Sequence, residues 1–187
     1  LRRAVQELGM CGAILPSTGI QSNLGDQRYW PIYEEADRLG CAIGIHGGAH
    51  ENLGLDDLTP YAPVHALGHP FGQMISFAGL VFNGVFDRFP KVKFGFMEGG
   101  VAWLLMCLER FDRSWETHIQ HDPRKRFLEL KPKEKVSAYI QRQIDADEVG
   151  LFHRAEHGHA RAESALDHFV DCFRVADAGC DQRDGLT

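Results

Sequence analysis

Two short stretches carry the side chains best suited to chemistry, Ile45-His46-Gly47-Gly48 and Met97-Glu98-Gly99-Gly100. Each sets one ionisable group after an apolar run and follows it with two glycines. Glycine lacks a Cβ, so backbone there can pass close to a ligand or metal pocket. His46 is the candidate metal ligand, because a neutral imidazole binds divalent transition metals well. A histidine satisfied by a loop carbonyl is the alternative. Glu98 is the candidate catalytic carboxylate, as a general base or as a hydrogen-bond anchor for substrate; a structural salt-bridge partner is its alternative. His69, within Gly68-His69-Pro70, precedes a long apolar segment and can face the same mouth as a second catalytic candidate. A solvated loop histidine is the plainer reading. His50 and His65 lie in or beside the same loop, and His118 and His121 fall in polar sequence and read as exposed. His153, His157 and His159 include an i, i+4 pair that could share one helix face and a metal.

Residues of this kind meet at the C-terminal ends of parallel strands, so the elements around them matter. Leu1 to Leu8 reads as an amphipathic helix tail stopped by Gly9, and Cys11-Gly12-Ala13-Ile14-Leu15-Pro16 as a buried strand. Tyr29 to Leu39 has helical spacing, with Pro31 in the first turn and Gly40 as the stop. Cys41 to Ile45 is a second strand. Ala49 to Pro63 reads as a long polar loop, and Gly68 to Phe89 as an apolar helical region with interruptions. Phe77, Phe82, Phe86 and Phe89, at near-helical spacing, read as core or subunit contact. Val92 to Met97 is a third strand. Val101 to Phe111 is a helix burying Trp103, Leu104, Met106, Cys107, Leu108 and Phe111, and a further helix opens near Pro132 and runs through Val136 to Ile140. Strand, helix, strand in repetition predicts an α/β fold with a parallel sheet.

The chain has 187 residues, 44% hydrophobic and 25% charged, enough for one globular core. A closed eight-stranded α/β barrel typically takes about 250 residues. The net charge of -6 and the lack of a Lys/Arg block argue against nucleic acid as a partner. No apolar run reaches the roughly 18 residues of a membrane span, and the start of the sequence lacks a signal-peptide pattern. Five widely spaced cysteines without a C-x-x-C fit buried or inert thiols in a reducing, cytoplasmic setting. A P-loop, a dinucleotide fingerprint and a Gly-x-Ser-x-Gly elbow are all missing from the sequence, which disfavours nucleophilic serine chemistry. From about Asp147 the composition shifts toward Ala, Arg, His, Asp and Gly, and four of the ten histidines fall between His153 and His168. Residues 1–146 are read as the barrel-type domain and 147–187 as a divergent, frame-shifted or disordered tail.

The order of motifs resembles a known family. Asp26-Gln27-Arg28-Tyr29-Trp30-Pro31-Ile32-Tyr33 leads to Ile43-Gly44-Ile45-His46-Gly47-Gly48. Gly84-Val85-Phe86-Asp87-Arg88-Phe89-Pro90 follows, then Met97-Glu98-Gly99-Gly100-Val101-Ala102-Trp103 and Leu108-Glu109-Arg110-Phe111-Asp112. From about Leu8 to Ala146 this resembles the amidohydrolase-related family that includes aminocarboxymuconate-semialdehyde decarboxylase and its relatives. The resemblance implies a partial (β/α)8 TIM barrel, lacking the first strands and with the last strand unplaced, and one divalent metal, zinc or alternatively manganese. It also implies hydrolysis or decarboxylation of a small carboxylated organic substrate. His46 matches the ligand at the end of the family's fifth strand, and Glu98 stands on the sixth, where decarboxylases often carry a histidine. The family's first-strand His-x-His pair and its eighth-strand Ser-Asp-x-Pro-His motif have no counterpart; Leu166-Asp167-His168-Phe169 is a faint echo.

The expectation is therefore a metal-dependent hydrolase or decarboxylase whose partner is a small molecule, with a homo-oligomer compatible and the isolated chain inactive. Two rival expectations are a metal-free, phosphate-binding α/β-barrel lyase, with the Gly-Gly turns cradling phosphate, and a non-catalytic remnant.

Overall fold

The computed structural model describes residues 1–122, 128–146 and 149–152. Helix α1 (Arg2–Gln6) leads to β1 (Gly12–Pro16), then α2 (Trp30–Leu39) and β2 (Ala42–His46). Helices α3 (Tyr61–Phe82) and α4 (Val85–Arg88) precede β3 (Lys93–Met97), and α5 (Ala102–His118) and α6 (Val136–Asp145) precede β4 (Val149–Phe152). The four strands form one sheet in the order β1-β2-β3-β4, and every neighbouring pair is parallel. Strand order follows chain order without a reversal, as in an arc of an α/β barrel; a doubly wound sheet would switch direction.

Strand alternation sorts the side chains. Ile43, Ile45, Phe94 and Phe96 are nearly inaccessible and pack with Tyr33, Phe77, Leu80, Phe86 and Tyr139 from the helices. The opposite face carries Ile14, 66% exposed, and Gly44, which abuts the Met97 side chain. His46 shares the parity of Gly44, so it lies on this second face at the strand's C-terminal end. Helix α2 ends as its sequence predicts, with Gly40 in the left-handed conformation at φ 62°. Phe77, Phe86 and Phe89 are core, and Phe82 packs against it.

Several expectations need correction. The segment read as loop to Pro63 is already helix from Tyr61. Pro63 is tolerated because it sits in the first turn, where backbone N–H groups lack helical partners anyway. His65 and His69 are thus helical residues. Helix α5 continues beyond Phe111 to His118, with Trp115 extending its packed stripe. Met106, expected to be buried, is 52% exposed. At about 100° per residue it falls on the far side from Leu104, Cys107 and Phe111. A fourth strand, β4, lies just past Ala146, pairing Phe94 to Met97 with Val149 to Phe152. Cys41 and Cys107 are buried, whereas Cys11 is exposed; burial pushes the Cys107 thiol up to about 11. His118 and His121 are exposed. His153, His157, His159 and Asp167 lie outside the described residues. Among the described residues no helix is long and apolar enough to cross a membrane.

Candidate metal centre

Strands β2 and β3 are adjacent and parallel, so both Gly-Gly turns open at one end of the sheet. His46 is the last residue of β2, and Glu98 follows β3 directly. Helix α3 brings His69, nine-tenths buried, over the same end. One carboxylate oxygen of Glu98 lies 3.2 Å from His46 Nε2 and 3.9 Å from His69 Nε2. One ligand atom from each of the three residues lies within 4.8 Å of the others. Among the described residues this is the one grouping of three such side chains.

In both rings Nδ1 faces a backbone carbonyl and Nε2 faces Glu98. His46 Nδ1 lies 3.0 Å from the Gly47 carbonyl oxygen. A carbonyl only accepts, so Nδ1 carries the hydrogen and the neutral ring presents the Nε2 lone pair to Glu98. His69 Nδ1 stands 3.4 Å from the His65 carbonyl one turn earlier, which orients its ring the same way. With both rings neutral and their hydrogens on Nδ1, two imidazole lone pairs and a carboxylate oxygen converge without a donor among them. A proton on one ring or a divalent cation resolves that arrangement, and the N, N, O set fits a divalent ion of the zinc or manganese type.

The surroundings hold these groups in place. A Cβ at Gly47 would run into the His69 ring, so that glycine lets the imidazole approach the turn closely. Glu98 itself adopts φ 64°, a left-handed conformation uncommon for a side chain larger than Asn and concentrated at functional positions. The rings of His50 and His65 pack on His69 at 5.1 and 5.0 Å between centroids. Burial holds the His50 imidazole below its usual pKa, and His69 and His65 nearby add to that effect. A cavity of about 560 Å³ opens beside His46, His50 and His69 and is bordered by Asp56 and Tyr61.

The sequence-level candidates His46, His69 and Glu98 thus meet in space. Glu98 is the least enclosed of the three, its side chain being 47% exposed. Sequence reasoning missed Gln73, a fully buried residue of α3 whose amide reaches both strand ends. Its signal was a lone amide inside an apolar helical run, four residues after His69.

A family model described as Amidohydrolase matches residues 1–131. Over 100 residues the chain is 36% identical to 2-amino-3-carboxymuconate-6-semialdehyde decarboxylase of Dictyostelium discoideum, covering 54% of the chain and 27% of that protein. The fold superposes on 5-carboxyvanillate decarboxylase from Sphingomonas paucimobilis with a TM-score of 0.58 at 19% identity, covering 94% of the chain and 55% of that structure. A dihydroxybenzoic acid decarboxylase from Polaromonas sp. JS666, with bound manganese and the inhibitor 2-nitroresorcinol, superposes with a TM-score of 0.52 at 19% identity. That match covers 92% of the chain and 57% of the Polaromonas enzyme. The chain therefore spans about a quarter of the curated relative and a little over half of these solved structures.

Proposed function

The chain belongs to the amidohydrolase family, and from that premise we propose that it carries part of the divalent-metal centre of a hydrolase or carboxy-lyase acting on a small carboxylated organic substrate. His46 and His69 ligate through Nε2. Glu98, the most exposed of the three, holds or moves a proton at the substrate and shares the charge of the centre. A divalent ion there supplies a Lewis acid that polarises a substrate oxygen. The imidazoles favour zinc, and the carboxylate admits manganese, the ion bound in the Polaromonas decarboxylase. The 36% identical relative is named as a decarboxylase, which favours the carboxy-lyase arm.

The observation that carries this reading is the convergence on one point of three acceptor atoms from β2, α3 and the end of β3, although His46 lies 23 residues before His69 and Glu98 29 after it. It also disfavours a metal-free phosphate cradle, because Glu98 would repel an anion held at these turns.

Equilibrium dialysis of the chain against Zn²⁺ and Mn²⁺ is expected to give one bound equivalent, lost in H46A. Salicylate, a small carboxylated acid, is expected to compete for the loaded site better than phenol. Equal metal uptake by H46A and the unaltered chain would overturn the proposal.

A further inference from the structure

Helix α3 does more than deliver His69. Four residues on, Gln73 lies on the same side of the helix, and its side chain is wholly buried. Its Nε2 donates to the Ile45 carbonyl at 3.1 Å and to the Met97 carbonyl at 2.8 Å. Those carbonyls belong to the residues just before His46 and Glu98. The β2–β3 ladder has its last paired residues at Ile45 and Phe96. Beyond that point the strands are tied by the glutamine amide, which acts as a side-chain rung.

We propose that Gln73 is the positioning residue of the metal centre, a clamp that fixes the spacing of His46 and Glu98 by bridging the strand ends that carry them. This rests on the metal-centre reading above. The chemistry is selective. A primary amide nitrogen has two N–H donors and can serve two carbonyls at once. A carboxylate at this position would only accept, and would face two carbonyl oxygens. Methionine matches the length and offers no donor. One turn further along, Ser76 makes a comparable bond, donating to the Ser17 carbonyl at 2.9 Å. That bond ties α3 to the end of β1, which supplies none of the three converging groups. Ser76 is therefore a built-in control for a merely structural helix-to-strand tie.

The test compares Mn²⁺ and Zn²⁺ affinity in the unaltered chain, Q73M and S76A, with thermal melting measured for each. Partners that orient metal ligands typically change affinity by about 10- to 100-fold when removed. Q73M is expected to fall in that range, and S76A to stay within about twofold, at similar losses of melting temperature. A second reading uses the unaltered chain and no metal. Both Gln73 side-chain amide protons are expected to exchange with solvent at least tenfold more slowly than those of exposed Gln6. If Q73M binds metal as S76A does, or the Gln73 protons exchange as fast as those of Gln6, the clamp is overturned while the metal centre stands. If Q73M does not fold, the exchange measurement decides. If the unaltered chain takes up no metal, the centre itself fails and the clamp's role with it.

Discussion

The two Gly-Gly turns look alike in sequence and are built for different reasons. After His46, Gly47 and Gly48 are squeezed: a Cβ at Gly47 would strike the His69 ring, and one at Gly48 would strike the Thr18 carbonyl. After Glu98 the demand is on the backbone. Glu98 and Gly100 take positive φ, 64° and 68°, and a Cβ at Gly100 meets nothing within 4 Å. The first turn needs glycine for close approach at both positions; the second needs it for conformation at Gly100 and, at Gly99, for the approach of the Gln73 side chain, whose Cγ would lie 2.9 Å from an added Cβ. The same dipeptide thus reports two unrelated constraints, and the site depends on both.

Substitutions can break this contrast. G48A should have the largest effect on stability, because its new methyl meets backbone that cannot rotate away. Overpacking of this kind costs typically 1–3 kcal/mol, and about 3 kcal/mol is expected here by urea unfolding. G47A should cost less, about 2 kcal/mol, because an imidazole can shift where a carbonyl cannot. Its signature is a displaced His69, read by NMR as loss of the contact between the His46 and His69 rings, whose centroids lie 5.4 Å apart, and as weakened Zn²⁺ binding. A G47A chain with unaltered Zn²⁺ affinity would remove His69 from the ligand set.

The second turn calls for a paired comparison. E98A and E98G both delete the carboxylate, yet only glycine takes φ 64° without strain. E98G should be more stable than E98A by about 1 kcal/mol, the lower end of the cost of left-handed backbone for an ordinary residue. Equal stabilities would mean that the conformation at Glu98 carries no strain. The smallest effect at the site is expected from G40A. Gly40 also has positive φ and open space around it, but it caps α2 at the opposite end of β2. It should lose about 1 kcal/mol with metal affinity unchanged, and any change in affinity would show that backbone strain alone reaches the centre.

How much of this was legible beforehand differs by residue. His46 and Glu98 were legible because strand ends announce themselves locally: an apolar run, an ionisable group, then two glycines. Helix α2 was legible through its spacing and the Gly40 stop. The start of α3 was hidden by Pro60 and Pro63, which read locally as loop. That concealed His69's place on a helix crossing the strand ends. Helix α5 was cut short because Arg113 to His118 is polar on its outer side. Strand β4 was missed because four residues, Val149–Phe152, carry too little pattern to stand out from the changed composition around them.

The sequence by itself determined the class of fold and the parallel order implied by alternating strands and helices, and it named His46, Glu98 and His69 as candidates. These follow from short-range periodicity and from glycine's backbone freedom, which are written along the chain. Only the tertiary structure decided that His69 joins them and that Gln73 ties the two strand ends. It alone distinguished the crowded turn from the strained one. Those facts depend on side chains of α3 meeting groups 23 to 29 residues away in the chain, and no local pattern encodes a contact made by the packing of a helix across a sheet.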